Sequence, residues 1–156
     1  MSSDAIQIVD YSAEYRNDFK QLNYQWIKKY FTVEKEDVKL LEEPEKYIIK
    51  PGGFILLAKN GEDIVGTCGL IKINKKTFEL VKMAVDEKVR GRHIGYLLGQ
   101  AIINKAKNLG ASIIQLETSS KLIPALNLYR KLGFVKIPLN NSEYKRCDVK
   151  MKLRLK

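Results

Sequence analysis

The chain switches between two hydrophobic periods, and the switch points mark its predicted elements. "AIQIVD" alternates as a short strand does, and from Ser12 to about Tyr30 the residues Tyr15, Phe19, Leu22, Trp26 and Ile27 recur at helical spacing, with Ser12 as predicted N-cap. A shorter, more charged helix is predicted from about Glu34 to Leu41, stopping before Pro44. "GFILLAKNGEDIVGTCGLIKI" then holds two β-type runs joined around Asn60-Gly61, a strong hairpin signal, and "TFELVKMAV" makes a third strand after the polar turn Asn74-Lys75-Lys76.

The helical period returns from about Arg92 to Leu109, where Ile94, Leu97, Leu98, Ala101, Ile102, Ala106 and Leu109 fall on one side and Gly110 caps the end. "SIIQLET" reads as a buried strand. A short helix from about Lys121 to Leu132, closed by Gly133, accommodates Pro124 only in its first turn. "FVKI" and "RCDVKMKLRLK" supply the last two strands, the second alternating Val149, Met151, Leu153 and Leu155 against a basic face. This order predicts an α/β fold: a mixed, mostly antiparallel central sheet of about six or seven strands flanked by about four helices. No repeat or linker interrupts it, so residues 1–156 are read as a single domain.

Composition narrows the class. With 45% apolar and 29% charged residues, the chain reads as soluble and globular rather than disordered. No run approaches the roughly 18 apolar residues of a membrane span and no leader pattern opens the sequence, so we expect no membrane partner and a cytoplasmic location. The lone histidine, His93, and the distant cysteines Cys68 and Cys147 offer no metal-type spacing, so no metal is expected. A net charge of +10 favours anionic partners, whether nucleic acid, an anionic surface or a polyphosphorylated small molecule. Charge alone does not choose among these, and the lysines are dispersed enough to serve solvation.

"VRGRHIGYLLGQ", residues 89–100, sharpens the question, because it begins a helix yet carries Gly91, Gly95 and Gly99. Glycine inside a helix costs roughly 1 kcal/mol relative to alanine. A helix N-terminus with free N–H groups is an anion cradle, and Arg90 and Arg92 add charge to it. A plainer reading stands beside that one: the glycines allow close packing and the arginines are solvated. No P-loop string is present, and no dinucleotide fingerprint follows an N-terminal strand.

Taken with the element order, Arg90-Gly-Arg-His-Ile-Gly95 resembles the Q/R-x-x-G-x-G/A signature of the GNAT superfamily of acetyl-CoA-dependent N-acetyltransferases. "PALNLYRKLGF", residues 124–134, resembles that family's second motif, A-x-x-L-Y-x-[KR]-x-G-F. There are two departures. His93 stands at the signature's first glycine, and Leu122 stands where many relatives have an asparagine. The resemblance implies a GNAT-like fold and direct acetyl transfer from acetyl-CoA to an amine of a small molecule or peptide. It implies that Arg90, Gly91, Arg92, His93, Ile94 and Gly95 hold the pyrophosphate, and that Met83, Ala84 and Val85 offer a strand edge to the pantetheine arm. A homodimer is common among such relatives.

The same resemblance assigns Glu79 as general base and Tyr129 as the acid that meets the departing thiolate. Simple alternation puts positions 79, 81, 83 and 85 on one face of the strand. Asn127, about 200° around its helix from Tyr129, is left out of the site. A covalent route through Cys68 or Cys147 has no neighbouring histidine to support it. Trp26, Tyr30 and Phe31, with Tyr144 and Arg146, are candidates for shaping an acceptor pocket. Two rivals remain at this level, an acyl-CoA-binding protein without catalysis and a basic nucleic-acid-binding module. For the second, charge is the only argument.

Overall fold

The computed structural model describes residues 5–89, 91 and 93–156. In chain order they form β1 (Ile6–Asp10), α1 (Arg16–Tyr30), α2 (Lys35–Glu42), β2 (Phe54–Asn60), β3 (Asp63–Lys72), β4 (Thr77–Val85), α3 (Ile94–Asn108), β5 (Ile113–Thr118), α4 (Ile123–Leu132), β6 (Val135–Ile137) and β7 (Val149–Arg154). All seven strands join one sheet in the order β1-β2-β3-β4-β5-β7-β6. Every neighbouring pair is antiparallel except β4 and β5, whose connection runs through α3.

The expected element order is present, with local differences at the helix starts. Ser12 precedes a single 3₁₀ turn, Ala13–Tyr15, and its hydroxyl goes to Glu14 at 3.3 Å instead of capping the backbone, so α1 begins only at Arg16. α2 ends at Glu42, before Pro44, as the sequence predicts. The φ of Pro44, −64°, suits the entry to a helix, and a π-helical turn, Glu45–Ile49, follows it. Asn60-Gly61 does turn β2 into β3, with Asn60 paired to Asp63 and Gly61 at φ +64°.

Period-two alternation divides the core between the two faces of the sheet. Ile55 and Leu57 of β2 pack with Phe19, Ile27, Leu40 and Leu41 under α1 and α2. Leu56 and Ala58 turn the other way, joining Phe78, Leu80, Ile114 and Met151 against Leu98 and Ile102 of α3. Burying each such side chain stabilises the fold by about 1.5–3 kcal/mol. Gly66 of β3 lets α3 approach, since a Cβ there would sit 2.9 Å from Leu98 Cδ1 and 3.1 Å from Ile94 Cγ2. No helix among the described residues is long and apolar enough to cross a membrane.

Two irregularities in β4 create the functional geometry. Its parallel pairing with β5 covers only Thr77 to Glu79 against Ile113 to Gln115, although β4 runs on to Val85 and β5 to Thr118, so the strands part in the middle of the sheet. On its other side, Val81 pairs with Gly69 and Ala84 with Thr67, leaving Lys82 and Met83 opposite Cys68 alone. That is a β-bulge, and Lys82 takes it up at φ +55°. The expected common face for positions 79, 81, 83 and 85 is therefore corrected. Glu79 and Val81 remain beside Ile71 and Leu40 on the α1/α2 side. Val85 instead lies against Gly95 of α3, because the extra residue shifts the alternation.

Candidate active site

The gap between β4 and β5 opens into a cleft lined by β4 from Glu79 to Met83, by Glu117 and Thr118 of β5 with Ser119 just after it, and by Tyr129 of α4. Trp26 of α1 and Tyr144, Arg146 and Cys147 of the β6–β7 loop close its far wall. Thus the two candidate catalytic residues share one cavity.

Glu79 is part-buried and accepts a hydrogen bond from Gln115 Nε2 at 3.3 Å. Burial raises its carboxyl above the ordinary glutamate range, and the charges of Glu117 and Glu143 push the same way, against the Gln115 hydrogen bond and the charge of Lys150. Tyr129 is buried at 7% exposure and meets Phe134 edge to face, with ring centroids 6.1 Å apart. Burial drives its hydroxyl well above the usual tyrosine value, so it stays protonated at neutral pH.

A charged network that sequence reasoning did not find supports the α1/α2 side of the cleft. Lys82 and Asp37, 7% and 0% exposed, are hydrogen-bonded to each other. Arg146 grips the same carboxylate with both terminal nitrogens, at 2.7 and 2.6 Å, while the Glu34 N–H donates to it at 2.8 Å. Burial alone would raise the Asp37 carboxyl, but Arg146, Lys82 and the Glu34 N–H together hold it below the ordinary aspartate range. Glu34 accepts backbone N–H groups from Lys145 and Arg146 at 2.8 and 3.4 Å, fastening the loop. The Arg146 guanidinium lies 5.5 Å from the Trp26 ring, 5.8 Å from Phe31 and 4.5 Å from Tyr144. Asn23 accepts the Trp26 indole N–H at 3.0 Å and so orients that ring.

Sequence alone offered one sign of this network. By alternation Lys82 should lie with Phe78 and Leu80 in the α3 core, an untenable place for an ammonium. The bulge turns it out of that core to Asp37. Of the aromatic candidates, Trp26 and Tyr144 reach the cleft, whereas Tyr30 is 43% exposed beneath Lys29.

The described residues of the glycine signature differ in environment. Arg90 and Arg92 lie outside the described residues. Gly91 has φ +87°, with nothing within 4 Å of where a Cβ would stand. His93 is exposed and left-handed at φ +59°, and its carbonyl accepts the Leu97 N–H at 3.0 Å as α3 begins. His93 thus adopts a left-handed backbone shape that favours glycine. Ile94 is buried in the core, so only its backbone can serve a ligand. Gly95 faces α4, where a Cβ would be 3.0 Å from Leu128 Cδ2, and a Cβ at Gly99 would collide with Leu132. Leu122 sits immediately before α4 and caps it with no side-chain hydrogen bond.

Residues 20–134 match the model of the acetyltransferase (GNAT) family. This chain belongs to that family. An uncharacterized N-acetyltransferase of Bacillus subtilis, YvbK, is 36% identical over 101 residues, 63% of this chain and 65% of YvbK, so the chain spans slightly less than two thirds of that relative's length. The crystal structure of a GNAT-family acetyltransferase from Staphylococcus aureus Mu50 is 29% identical, with a TM-score of 0.88 over 97% of this chain and all of the other. The fold is also that of yncA from Salmonella typhimurium, solved with its cofactor acetyl-CoA, at a TM-score of 0.76 over 97% of this chain and 95% of the other, with 15% identity.

Proposed function

We propose that this GNAT protein is an N-acetyltransferase that moves the acetyl group of acetyl-CoA directly to an amine. The observation that carries the reading is the parting of β4 from β5 beside the bulge, with Glu79 and Tyr129 in one cavity. The donor fits this geometry. Beyond Glu79 the β4 edge has no strand partner on the β5 side among the described residues, which leaves backbone groups near Met83, Ala84 and Val85 to pair with the amide-bearing pantetheine arm. Gly91, open and at positive φ, suits the close approach of a pyrophosphate to the α3 N-terminus, with Arg90, Arg92, His93, Ile94 and Gly95 completing the cradle.

In this mechanism Glu79 takes the proton that the amine must lose, directly or through water. A carboxylate raised towards neutral pH is a better base for that task than an ordinary one. The N–H near Met83 steadies the oxygen of the thioester as the nitrogen attacks its carbonyl carbon. As the C–N bond forms and the C–S bond breaks, the Tyr129 hydroxyl donates to the leaving sulfur. A relay through cysteine is a poor competitor. Burial raises the Cys147 thiol to about 11, leaving roughly one molecule in ten thousand as thiolate at pH 7, and Cys68 is fully buried.

Calorimetric titration with acetyl-CoA, followed by a thiol-release screen over amines, tests the reading. Micromolar binding and amine-dependent thiol release are expected. Absence of acetyl-CoA binding would overturn it, and binding without release for any amine would leave only a sensor of acyl-CoA.

A further inference from the structure

Gln115 and Glu79 form the last paired position between β5 and β4, where the sheet begins to part. Ile114 and Leu116 of β5 lie in the α3 core, while Gln115 and Glu117 turn to the face on which Glu79 stands. A half-buried amide at such a place needs a partner, because a polar group left unpaired there carries a desolvation penalty. Its nitrogen finds one in Glu79 Oε1, at 3.3 Å. An ionised carboxylate only accepts, so the amide meets it through nitrogen rather than oxygen. No other side chain among the described residues donates to Glu79.

The register of the sheet shows why this partner is neutral. One row runs through Glu79, Gln115 and Lys152, which sets the amide between the carboxylate and the lysine of β7. In the next row Lys150 stands opposite Glu117, whose carboxylate also accepts the Ser142 hydroxyl. Burial is the largest influence on Glu79 and opposes its charge, and the Gln115 hydrogen bond is the largest that favours it. Glu117 of β5 and Glu143 of the β6–β7 loop also oppose the charge, and Lys150 supports it. Lys82 and Arg146 are answered by Asp37 and Glu34, and Glu36 of α2 has Lys39 at 3.6 Å. Tyr129, Tyr144 and Cys147, raised by burial, stay protonated at neutral pH.

We propose that Gln115 is a positioning residue for Glu79: its amide fixes Oε1 at the fork of the sheet, stabilises the carboxylate as the anion and leaves Oε2 to receive the proton of an incoming amine. The source of that proton rests on the transferase reading. Glutamine suits the task better than a lysine or an apolar residue would. A lysine would lock the carboxylate in an ion pair and weaken it as a base, and an apolar residue would leave Glu79 protonated to a higher pH.

The test compares the full chain with Gln115→Met, which keeps the length and loses the donor, and Gln115→Lys, which adds a charge. Each protein is isotope-labelled at its glutamate carboxyl carbons, and the Glu79 resonance, assigned by its absence from Glu79→Gln, is followed by NMR as a function of pH with no ligand added. The midpoint should rise in Gln115→Met and fall in Gln115→Lys. Next, kcat/KM for acetyl-CoA is measured over the same pH range with the amine that releases thiol fastest, whose own titration is common to all three proteins. On the acid limb, relative to its plateau, Gln115→Met should lie about threefold to tenfold below the wild type and Gln115→Lys above it. A purely structural role would lower stability or the plateau in both variants without moving the midpoints in opposite directions. Should one variant fold poorly, the direction taken by the other decides. A midpoint that neither variant moves, or that both move the same way, overturns the proposal, and thiol release in that case keeps the transferase. An acid limb that stays in place while the midpoint moves removes Glu79 as the base and this role with it. Opposite midpoint shifts with no thiol release from any amine remove the transferase and keep the coupling of Gln115 to Glu79.

Discussion

The two sides of the cleft solve different problems with different materials. On the α3 side, the site is backbone: an unpaired stretch of β4, an open Gly91 at positive φ and the start of a helix, backed by an apolar core in which Ile94, Leu98 and Ile102 are almost wholly buried. On the α1/α2 side, it is side chains: Asp37 clamped by Lys82 and Arg146, then Glu79, Glu117, Glu36 and Glu143 around an aliphatic floor. We read the difference as a division of labour. A donor that is the same in every turnover can be held by N–H and C=O groups that any sequence supplies, whereas an acceptor must be recognised by residues particular to this chain.

Substitutions on the two sides should separate these roles. The largest effect is expected at Asp37→Ala, which leaves two buried cations without their shared carboxylate and should cost about 3–5 kcal/mol in a urea unfolding curve. On the α3 side, Ile102→Val should cost only about 0.5–1.5 kcal/mol. Equal costs would mean that the charged cluster is not what holds the acceptor wall. The wild-type contribution of Asp37 has a definite pH sign. Its folded carboxyl lies below the ordinary value of about 3.9, so the stabilisation is present above that pH and fades as the pH falls through the lower folded value.

Glu79→Gln comes next, with an expected loss of roughly a hundredfold or more in kcat/KM and little change in acetyl-CoA affinity. In the wild type, kcat/KM should climb with pH through the raised Glu79 value, because the unprotonated carboxylate is the active form. In the variant that rise should disappear. The stability effect has the opposite sign, since the fold favours protonated Glu79 and loses that preference as pH rises. Glu79→Gln should therefore gain stability near pH 7 and little near pH 4. Tyr129→Phe should also lower turnover while keeping acetyl-CoA affinity, and a large affinity loss would mark the ring as structural.

Smaller effects belong to the backbone side. Arg90→Ala together with Arg92→Ala should weaken coenzyme A binding by roughly tenfold or more, as charged hydrogen bonds to phosphate are lost. Unchanged affinity by calorimetry would assign phosphate binding to backbone N–H groups alone. The mildest expectation is a gain of about 1 kcal/mol in thermal stability for His93→Gly, which removes the cost of a left-handed non-glycine residue at φ +59°. No gain would mean that the imidazole makes a compensating interaction.

Much of this molecule was legible in one dimension, for identifiable reasons. The unbroken apolar run Ile55, Leu56, Leu57 and Ala58 before Asn60-Gly61 predicted a strand, and the structure then divided its side chains between the two faces of the sheet. Glycine and proline likewise announced the hairpin at Asn60-Gly61 and the cap at Gly133, because turns and helix ends need backbone angles that few residues adopt. The two motifs carried the family and brought Glu79 and Tyr129 under suspicion together. Pro44 marked the end of α2 correctly, but the π-helical turn that it opens was not legible, because the same residue that ends one helix can begin the next turn.

What only the tertiary structure decided is the charged half of the site. Asp37 and Lys82 are 45 positions apart and Asp37 and Arg146 are 109 apart, and no local pattern links them. The link is the bulge. One extra residue in β4, set at positive φ, reverses which face Lys82 meets and carries an ammonium from an apolar core to a buried carboxylate. Local sequence determines which elements form, since backbone conformation is a short-range property. The partner a buried charge finds is set by the packing of distant elements, since desolvation is felt only once they have closed around it.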